Sequence, residues 1–501
     1  MRYIGLDVGT SGCKASVTDR EGTVFMSARR EYAPVSPLPG YVEIDARIVL
    51  DSVMQVLSEV AGPDITALSI ASFGEAVVLL SGKDKVLGSS IYYSDVRGID
   101  EVADILDAMD PAICRKITGT RANPMFSANK LLWIKKHQPE LLRDAKRTML
   151  FGDYIAYMLT GERVIDYSLA SRTMLFDIRN NCWSTEVIEA LDLPAGGFSA
   201  PVRMGTPIGK LLKSVANELR LSENVLVVAG GHDQTVAALG GGATNIGDSV
   251  DGIGSTECIS LVLGTRDISE AMVDYNFCVE PYAFDDTYLT LAFNASAGSA
   301  IRWFRDCFHV GRAAGEAGLS GNIYQIMERD CPPEPTEILF LPFVAGSGTP
   351  FLDAEIGGAF IGLRLGATQE EMYRAVLQGI CFEMQYNVQL LSRCGVTLET
   401  VTAVGGGVQS ELMMQIKSDV MRRDISVLGT PESGTVALAL LCANVMGDIC
   451  DIKESARRAA KKVKTYVPNP EFTDMYASLM DRYCRIYPAI REIYQERNHL
   501  C

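Results

Sequence analysis

Histidine and tryptophan are scarce in this sequence, and it contains neither a paired-cysteine motif nor a long apolar run. Only four histidines occur among 501 residues, and because they lie far apart they offer no ligand pair for a structural zinc ion. No apolar run reaches the roughly 20 residues that a membrane-spanning helix requires. Thirteen cysteines without a CxxC pair, together with a start that lacks a secretory segment, favour a reducing cytoplasm as the location. The histidines are His137, His232, His309 and His499.

Clustered positive charge is also lacking. The chain carries 46 Lys and Arg against 62 Asp and Glu, which gives a formal net charge of -16. Nucleic acids and anionic membranes are bound through concentrated Lys and Arg, so this balance disfavours both as partners. An anionic ligand must therefore be held by a few local groups.

Length and composition indicate a folded protein of more than one domain. Hydrophobic residues make up 48% of the chain and charged residues 22%, as in ordinary globular proteins. At 501 residues the chain is about twice the size at which a single hydrophobic core stops growing. We predict two domains, an N-terminal one over residues 1–246 and a C-terminal one over residues 247–501 with a helical tail.

Strand and helix patterns alternate along the chain. Residues 3–8 and 13–18 are β-rich runs around a Gly-rich turn, and helical spacing of apolar residues follows over residues 48–60. Near Asp248 the same theme begins again, with a β-rich run, a Gly-Ser-Thr turn and a second β-rich run. This repetition predicts an α/β protein whose two domains have similar cores.

The first turn is suited to binding phosphate. Residues 5–14 read GLDVGTSGCK, in which small residues let backbone N–H groups approach phosphate oxygens. Asp7 can hold a hydrated Mg²⁺, and Lys14 can meet phosphate charge. The segment lacks the GxxxxGK[ST] pattern and a strand follows it, so neither a P-loop nor a dinucleotide-binding fold is favoured. A tight hairpin turn that needs glycine remains the alternative.

A carboxylate lies at the start of a helix in residues 227–242, VVAGGHDQTVAALGGG. A buried strand brings Asp233 just past a Gly-Gly bend, where it can be exposed at a domain boundary. Moving a phosphoryl group to an alcohol requires an acceptor for the hydroxyl proton, and a carboxylate in a cleft can serve. The alternative is that Asp233 merely caps the helix.

Two further turns extend the pattern. Ser255 and Thr256 in IGSTE offer hydroxyls and backbone donors to phosphate oxygens, as the first turn does. Residues 405–410 read GGGVQS, where the absence of side chains lets a flat base lie against the backbone. Alone, such a turn is usually only a turn. The two phosphate turns together suggest a nucleotide clamped across a cleft.

Taken in order, these segments resemble the FGGY family of carbohydrate kinases over residues 3–447. Residues 125–136 (MFSANKLLWIKK) and 358–379 (GAFIGLRLGATQEEMYRAVLQG) are similar to the two signatures of that family, and GDYIAYMLTGE occupies residues 152–162. The resemblance implies a two-domain, actin-like ATPase (ribonuclease H-like) fold with a central cleft. It also implies that ATP binds mainly to the C-terminal domain and the sugar mainly to the N-terminal one.

The resemblance also implies roles for single residues. Asp233 would be the general base, and Asp7 and Asp233 would act at Mg²⁺. Residues 405–407 with Gln409 would border the adenine, and Ser255 with Thr256 would flank the transferred group. The implied ATP contacts are Gly9, Thr10, Ser11, Lys14, Ser255, Thr256, Gly298, Gly405, Gly406, Gly407 and Gln409.

Five residues are candidates for binding the sugar: Phe73, Glu75, Asp95, Arg97 and the proposed base, Asp233. Glu75 stands where the pentulose-kinase branch of the family usually has His, whereas Asp95 and Arg97 match that branch. A Glu at this position is similar to the glycerol kinases, yet the Arg that precedes it there is replaced by Gly74. Carboxylates suit polyols because each accepts two hydroxyl donors, and aromatic rings cover apolar C–H faces. A salt-bridged Glu75 that faces away from the cleft is the alternative.

The predicted activity is phosphorylation of a sugar hydroxyl by ATP, with D-xylulose or a related ketopentose as the leading substrate. The length, the TSGCK turn and residues 170–178 (ASRTMLFDI) most resemble the xylulose kinase branch. Another polyol, a sugar acid such as gluconate, and glycerol are alternatives. Rivals of another class are an actin-like ATPase that hydrolyses ATP without sugar and a non-catalytic sugar sensor. A homodimer is expected from the resemblance alone.

Overall fold

The strands of the protein form two large sheets and several two-stranded ribbons. The computed structural model describes residues 1–308, 323–429 and 432–497, so His309 and His499 lie outside the described residues. The strands are β1 (Arg2–Val8), β2 (Gly12–Thr18), β3 (Val24–Glu31), β4 (Glu43–Ile44), β5 (Ile65–Ser72), β6 (Val77–Leu80), β7 (Ser90–Ile91), β8 (Arg147–Leu150), β9 (Val164–Asp166), β10 (Phe176–Asp177), β11 (Cys182–Trp183), β12 (Ala200–Val202), β13 (Pro207–Lys210), β14 (Leu226–His232), β15 (Asp248–Ile253), β16 (Glu257–Gly264), β17 (Cys278–Pro281), β18 (Thr287–Asn294), β19 (Leu339–Leu341), β20 (Ala359–Ile361), β21 (Thr400–Val404), β22 (Ile425–Leu428) and β23 (Lys462–Tyr466).

The two large sheets share one arrangement. The first has the order β13-β14-β5-β1-β2-β3, and the second has the order β17-β18-β16-β15-β21-β22-β23. In each, an antiparallel meander of three strands (β1 to β3, or β15, β16 and β18) lies beside two parallel strands (β5 and β14, or β21 and β22). The predicted similarity of the two cores is therefore confirmed.

Helices cover both sheets and are shaped by local sequence. Ala46–Val60 begins where the Asp45 side chain accepts a hydrogen bond from the Arg47 N–H at 2.9 Å. Its buried residues recur at helical spacing and pack against the first sheet. Among the described residues, no helix combines the length and apolarity needed to cross a membrane. The helices are Ala46–Val60, Glu101–Ala108, Pro111–Thr118, Ser127–His137, Pro139–Asp144, Phe151–Thr160, Tyr167–Ser171, Thr185–Ala190, Lys213–Leu219, Asp233–Gly240, Glu270–Asp274, Gly298–Phe308, Ile323–Arg329, Gln369–Arg393, Glu411–Met421, Ser433–Val445, Ile452–Ala459, Thr473–Tyr483 and Ile486–Arg497, with 3₁₀ turns at Thr265–Asp267, Gly406–Gln409 and Pro470–Phe472.

Two helices join the halves of the molecule. Asp233–Gly240 follows the first sheet in sequence and contacts the second, whereas Ser433–Val445 follows β22 of the second sheet and packs on β1 of the first. The two helices meet so closely that a methyl group added to Gly240 would lie 2.1 Å from the carbonyl oxygen of Ser433. The helix Ser433–Val445 belongs by sequence to the predicted C-terminal domain but packs on the first sheet. The domain boundary predicted between residues 246 and 247 therefore stays a prediction.

The tail differs in one respect from the expected surface helices. Helices Ile452–Ala459, Thr473–Tyr483 and Ile486–Arg497 are present, but between the first two the chain adds the edge strand β23. The strand is missed from sequence because four of its five residues are exposed, so it lacks the alternation of a half-buried strand. Its lysines suit an edge that must not pair with another chain.

A buried carboxyl group lies where the tail packs on the longest helix. Glu383 of Gln369–Arg393 is 1% exposed, and its Oε2 accepts a hydrogen bond from the Tyr483 hydroxyl at 2.6 Å. The Oε1 atom has no hydrogen-bond partner among the described residues. Burial raises the pKa of Glu383 to about 8, although the bond from Tyr483 lowers it in part.

Substitution of Glu383 by Gln is expected to make unfolding less dependent on pH. The folded protein keeps the Glu383 proton up to a pKa of about 8, whereas the ordinary pKa is 4.5. Between these values the unfolded chain binds fewer protons, so the contribution of Glu383 to stability falls as pH rises. As pH rises, the unfolding free energy of Glu383→Gln should therefore increase relative to that of the wild type by up to about 1.4 kcal/mol per pH unit. Urea unfolding between about pH 5 and pH 8 measures it.

The matched control is Glu399→Gln, because Glu399 is exposed. The difference in unfolding free energy between Glu399→Gln and the wild type should stay constant over the same pH range. A constant difference for Glu383→Gln as well would show that Glu383 is ionised in the folded protein.

Candidate active site

Three parallel strands end side by side and bring distant sequence segments together. Val8 of β1 pairs with Ser72 of β5, which also pairs with His232 of β14. The phosphate turn, the segment that contains Glu75, and Asp233 follow these three strand ends. Ligand sites in parallel sheets form beyond the carboxyl ends of strands, so this edge is the expected place for chemistry.

Asp7 and Asp233 share this edge. Burial raises the pKa of Asp7 to about 6, and the negative charge of Asp233 contributes in the same direction. The Asp233 side chain is 27% exposed and begins the helix Asp233–Gly240. Burial also raises the pKa of Asp233, and Glu75 adds to the rise, while His232 opposes it. Two carboxylates that interact in this way favour a shared proton or a shared cation.

The first phosphate turn is held by hydrogen bonds to its backbone carbonyls. The N–H of Gly9 donates to the carbonyl of Gly12 at 2.9 Å, which closes the turn between β1 and β2. The Tyr32 hydroxyl donates to the Gly9 carbonyl at 2.7 Å, and the Tyr92 hydroxyl donates to the Thr10 carbonyl at 2.6 Å. These contacts hold the turn rigid while Ser11 is exposed at its tip.

Lys14 binds the other half of the protein. Its Nζ lies 2.6 Å from Oε2 of Glu432, just before the helix Ser433–Val445, and both side chains are partly exposed. Lys14 is thus placed beside the phosphate turn, as expected, but its charge is shared with a carboxylate.

The predicted nucleotide turns converge at one end of the second sheet. The N–H of Gly298 donates to the Gly254 carbonyl at 3.0 Å, which places the helix Gly298–Phe308 on the turn that contains Ser255 and Thr256. Across β15, a methyl group on Gly405 would lie 2.5 Å from the carbonyl oxygen of Ile253. The structure thus brings together turns separated by up to about 150 residues of sequence. The exposed members of the set are Ser255, Thr256, Gly405, Gly406 and Gln409.

A buried lysine supports the second phosphate turn. Lys417 Nζ lies 2.5 Å from Oδ2 of Asp251 and also contacts Glu257 Oε1, and all three side chains are fully buried. Asp251 is in β15 and Glu257 begins β16, so Lys417 holds the two strands on either side of the turn together. Because a buried carboxylate without a cation is costly, this arrangement fixes the base of the turn.

Glu75 lies at the edge shared by the three strands, but it is bound by a partner that sequence analysis did not assign. Arg172 donates to Glu75 Oε1 from Nε at 2.7 Å and from Nη2 at 2.5 Å. Glu75 itself adopts a left-handed backbone conformation, with φ of 65°.

Phe73, Asp95 and Arg97 do not lie in the open part of this edge. Phe73 is buried against the rings of Tyr92 and Phe151, with centroids 5.6 and 4.8 Å away. The Asp95 carboxylate is fully buried and accepts hydrogen bonds from the Val42 N–H at 2.5 Å and from Arg97 Nε at 2.9 Å. The structure gives all three side chains structural partners, so their contact with sugar stays a prediction without support from this geometry.

Asp95 and Arg97 are kept out of the open part of the edge by charge pairing with their neighbours. Arg97 is two residues from Asp95 and also donates to Glu43 at 2.7 Å, while its guanidinium lies 4.2 Å from the centroid of the Tyr41 ring. Lys130 Nζ donates to the carbonyls of Asp95 and Arg97 at 2.7 and 2.5 Å. The Asp95 carboxylate itself accepts from the Val42 N–H and from the backbone and side chain of Arg97, which leaves it little capacity for a sugar hydroxyl.

Two more residues of the site were missed from sequence. His232 Nε2 lies 3.3 Å from Asp233 Oδ1, and its Nδ1 lies 3.1 Å from Oε1 of Glu280 in β17. Glu280 also accepts the Thr235 hydroxyl. In the sequence, His232 could have been found from its position beside Asp233. Glu280 could have been found as a lone carboxylate in an apolar strand.

Comparison with known proteins agrees with this architecture. Sequence models of the FGGY family of carbohydrate kinases match residues 2–240 with the N-terminal domain and residues 253–446 with the C-terminal domain. A xylulose kinase of Bacillus subtilis is 25% identical over 502 residues, covering 98% of this chain and 98% of its own.

Solved structures show the same fold. A ligand-bound xylulose kinase from Lactobacillus acidophilus has a TM-score of 0.90 at 23% identity and covers 99% of both chains. A gluconate kinase structure from Lactobacillus acidophilus gives the same values. With the duplicated sheets, these similarities confirm the predicted two-domain, actin-like α/β fold. This chain belongs to the FGGY family of carbohydrate kinases and is a sugar kinase for which ATP is the expected phosphoryl donor.

Proposed function

We propose that the protein transfers the γ-phosphoryl group of ATP to a hydroxyl of a neutral ketopentose, with D-xylulose as the leading candidate, and that Asp233 accepts the hydroxyl proton. The observation that carries the proposal is the position of Asp233. It is a partly exposed carboxylate at the shared end of three parallel strands, beside Asp7 and the phosphate turn.

The electrostatics of Asp233 suit a general base. A base is most effective when its pKa lies close to the working pH. Burial and the charge of Glu75 raise the pKa of Asp233, which strengthens it as a proton acceptor, while His232 limits the rise. Catalysis then depends on holding the hydroxyl in line with the phosphoryl group and on neutralising charge.

The net charge near Asp233 favours a neutral substrate. Four carboxylates, namely Asp7, Glu75, Asp233 and Glu280, face two basic side chains, Arg172 and His232. Because Arg172 is already shared between Glu75 and Glu280, it has little charge to offer a sugar acid. A gluconate carboxylate would enter a negative field, whereas the hydroxyls of a ketose or polyol can donate to Glu75.

The residues present fit a bound Mg²⁺. Magnesium ions are usually held by one or two carboxylates with phosphates and water, and Asp7 and Asp233 supply two hard oxygen donors. Among the described residues, no group of three or more His, Cys, Asp or Glu could hold a metal ion by itself. When bound, the ion would neutralise phosphate charge.

ATP would be held by backbone turns from both halves. Residues 9–11 and Lys14 would contact the phosphates from the first sheet, and Ser255 with Thr256 would contact them from the second. Residues 405–407 with Gln409 would border the adenine, and Gly298 would begin the helix beside it. The exposure of Ser11, Ser255, Thr256 and Gln409, and the convergence of the turns of the second sheet, support this assignment.

Relatives support a sugar kinase more firmly than they support one sugar. The Bacillus subtilis relative is named a xylulose kinase, but at 25% identity, and a gluconate kinase is as similar in fold as a xylulose kinase. Another polyol and glycerol remain alternative substrates. Family membership favours turnover with a sugar over the sugar-independent ATPase and the sensor. A homodimer and a cytoplasmic location stay predictions.

A sugar panel tests the substrate. ADP release with Mg²⁺-ATP should rise selectively with one ketopentose, while gluconate should give a kcat/KM lower by about a hundredfold or more because of charge repulsion. The panel contains D-xylulose, D-ribulose, xylitol, ribitol, glycerol, gluconate and a control without sugar. Selective turnover of gluconate would contradict the neutral substrate, and release without sugar would contradict the kinase proposal.

Asp233→Asn tests the base. Loss of a general base should lower kcat by about 10²–10⁴-fold, while the dissociation constants for sugar and for metal-free ATP stay within a few fold. Coupled ADP release and calorimetry measure the two effects.

The matched control is Asp474→Asn. Asp474 also lies in the first turn of a helix, Thr473–Tyr483, but it is exposed and remote from the strand ends. If Asp233 only stabilises its helix, both variants should lose some stability and keep wild-type kcat, which would overturn the catalytic assignment.

A further inference from the structure

A continuous chain of charged contacts links the candidate sugar carboxylate to the candidate base. It runs from Glu75 to Arg172, from Arg172 to Glu280, from Glu280 to His232, and from His232 to Asp233. The first four side chains are at most 6% exposed. Buried charges of this kind are retained only when each has a partner, and here each partner is the next member of the chain.

Arg172 is held in one orientation. Its Nε and Nη2 atoms both contact Oε1 of Glu75, at 2.7 and 2.5 Å, and its Nη1 lies 3.6 Å from Oε2 of Glu280. The guanidinium lies 5.1 Å from the centroid of the Phe126 ring. A planar guanidinium with these contacts can hold a carboxylate oxygen in place far better than a lysine can.

Gly74 makes room for Arg172. A methyl group on Gly74 would lie 2.8 Å from Cγ and 3.0 Å from Cβ of Arg172. The arginine therefore passes over the backbone just before Glu75. Glu75 needs such support because its left-handed backbone, with φ of 65°, is unfavourable for a residue with a side chain.

Glu280 brings the second sheet into the sugar site. It lies in β17, the edge strand of the second sheet, whereas the other members of the chain belong to segments around the first. Its Oε1 faces His232 and Thr235, and its Oε2 faces Arg172. One carboxylate thus contacts His232, which lies against Asp233, through Oε1, and Arg172, which supports Glu75, through Oε2. The second contact is an ion pair at 3.6 Å, because Oε2 has no hydrogen-bond partner among the described residues.

We propose that Arg172 and Glu280 are positioning residues that determine sugar specificity. Arg172 orients Glu75 so that one carboxylate receives the hydroxyls of a neutral sugar, and Glu280 fixes the separation between Glu75 and Asp233. The inference rests on the proposed function, since it takes Asp233 as the base and Glu75 as a sugar contact. A purely structural role would hold the two halves together without acting on the choice of sugar.

Gly74→Ala tests Arg172 without changing any charge. The added methyl should displace Arg172 and misplace Glu75, so the KM for the best sugar should rise about tenfold to a hundredfold, while the KM for ATP stays within about twofold. The ratio of kcat/KM between the best sugar and the next best in the panel should fall towards one. Steady-state kinetics measure both. Gly82→Ala is the matched control, because its methyl meets only Lys146 Cγ at 3.5 Å.

Arg172→Lys and Glu280→Gln provide the second test, should Gly74→Ala fail to fold. Arg172→Lys keeps the charge, and Glu280→Gln keeps the volume. Both should raise the sugar KM and lower the selectivity ratio. The double variant should raise the sugar KM by less than the product of the two single fold-changes, because both residues act on one network. Thermal unfolding of each variant reports any loss of stability separately.

The outcomes separate this inference from the proposed function. If variants that fold keep the wild-type sugar KM and selectivity while Asp233→Asn is inactive, the positioning roles are wrong and the proposed function stands. If Asp233→Asn is as active as the wild type, the base assignment fails whatever the other variants do. A fall in thermal stability with unchanged selectivity would mean that the network is only structural.

Discussion

The geometry of the molecule depends on a backbone contact between two helices that cross from one sheet to the other. Gly240 and Ser433 approach so closely that even a methyl group would not fit between them, and Gly5 of β1 meets Thr435 in the same way. Because Asp233 is the first residue of the helix that ends at Gly240, this contact also sets where the proposed base lies relative to the second sheet. The same contact therefore fixes both the packing of the two helices and the position of Asp233.

The site is built from elements of unequal rigidity. Strand ends and glycine turns place Asp7, Ser255 and Gly405 through backbone hydrogen bonds, which leave little freedom. The proposed sugar contacts rely on buried side-chain charges instead. Such charges are stable only in partnership, so the position of each one depends on the next. The proposed nucleotide turns are therefore positioned mainly by the backbone, and the proposed sugar contacts by side chains.

Local features of the site could be predicted from sequence, and long-range ones could not. The phosphate turns follow from glycines between β-rich runs, and Asp233 follows from its place after a strand and a Gly-Gly bend. The sugar contacts predicted for Asp95 and Arg97 stay a prediction without support from the geometry, because residue type does not reveal that neighbours two positions apart pair with each other. The contacts of Arg172 with Glu75 and Glu280 join segments about 100 residues apart, so spacing gives no signal for them.

The sharing of Arg172 between two carboxylates constrains how substrate range can diverge. A neutral residue at position 75 would leave the buried guanidinium with Glu280 at 3.6 Å as its remaining carboxylate. A neutral residue at position 172 would leave two buried negative charges. Accordingly, positions 75, 172 and 280 should covary among relatives of altered specificity. A library that randomises one of them alone leaves a buried charge without its partner in many variants, so a search for new specificity should vary the three together.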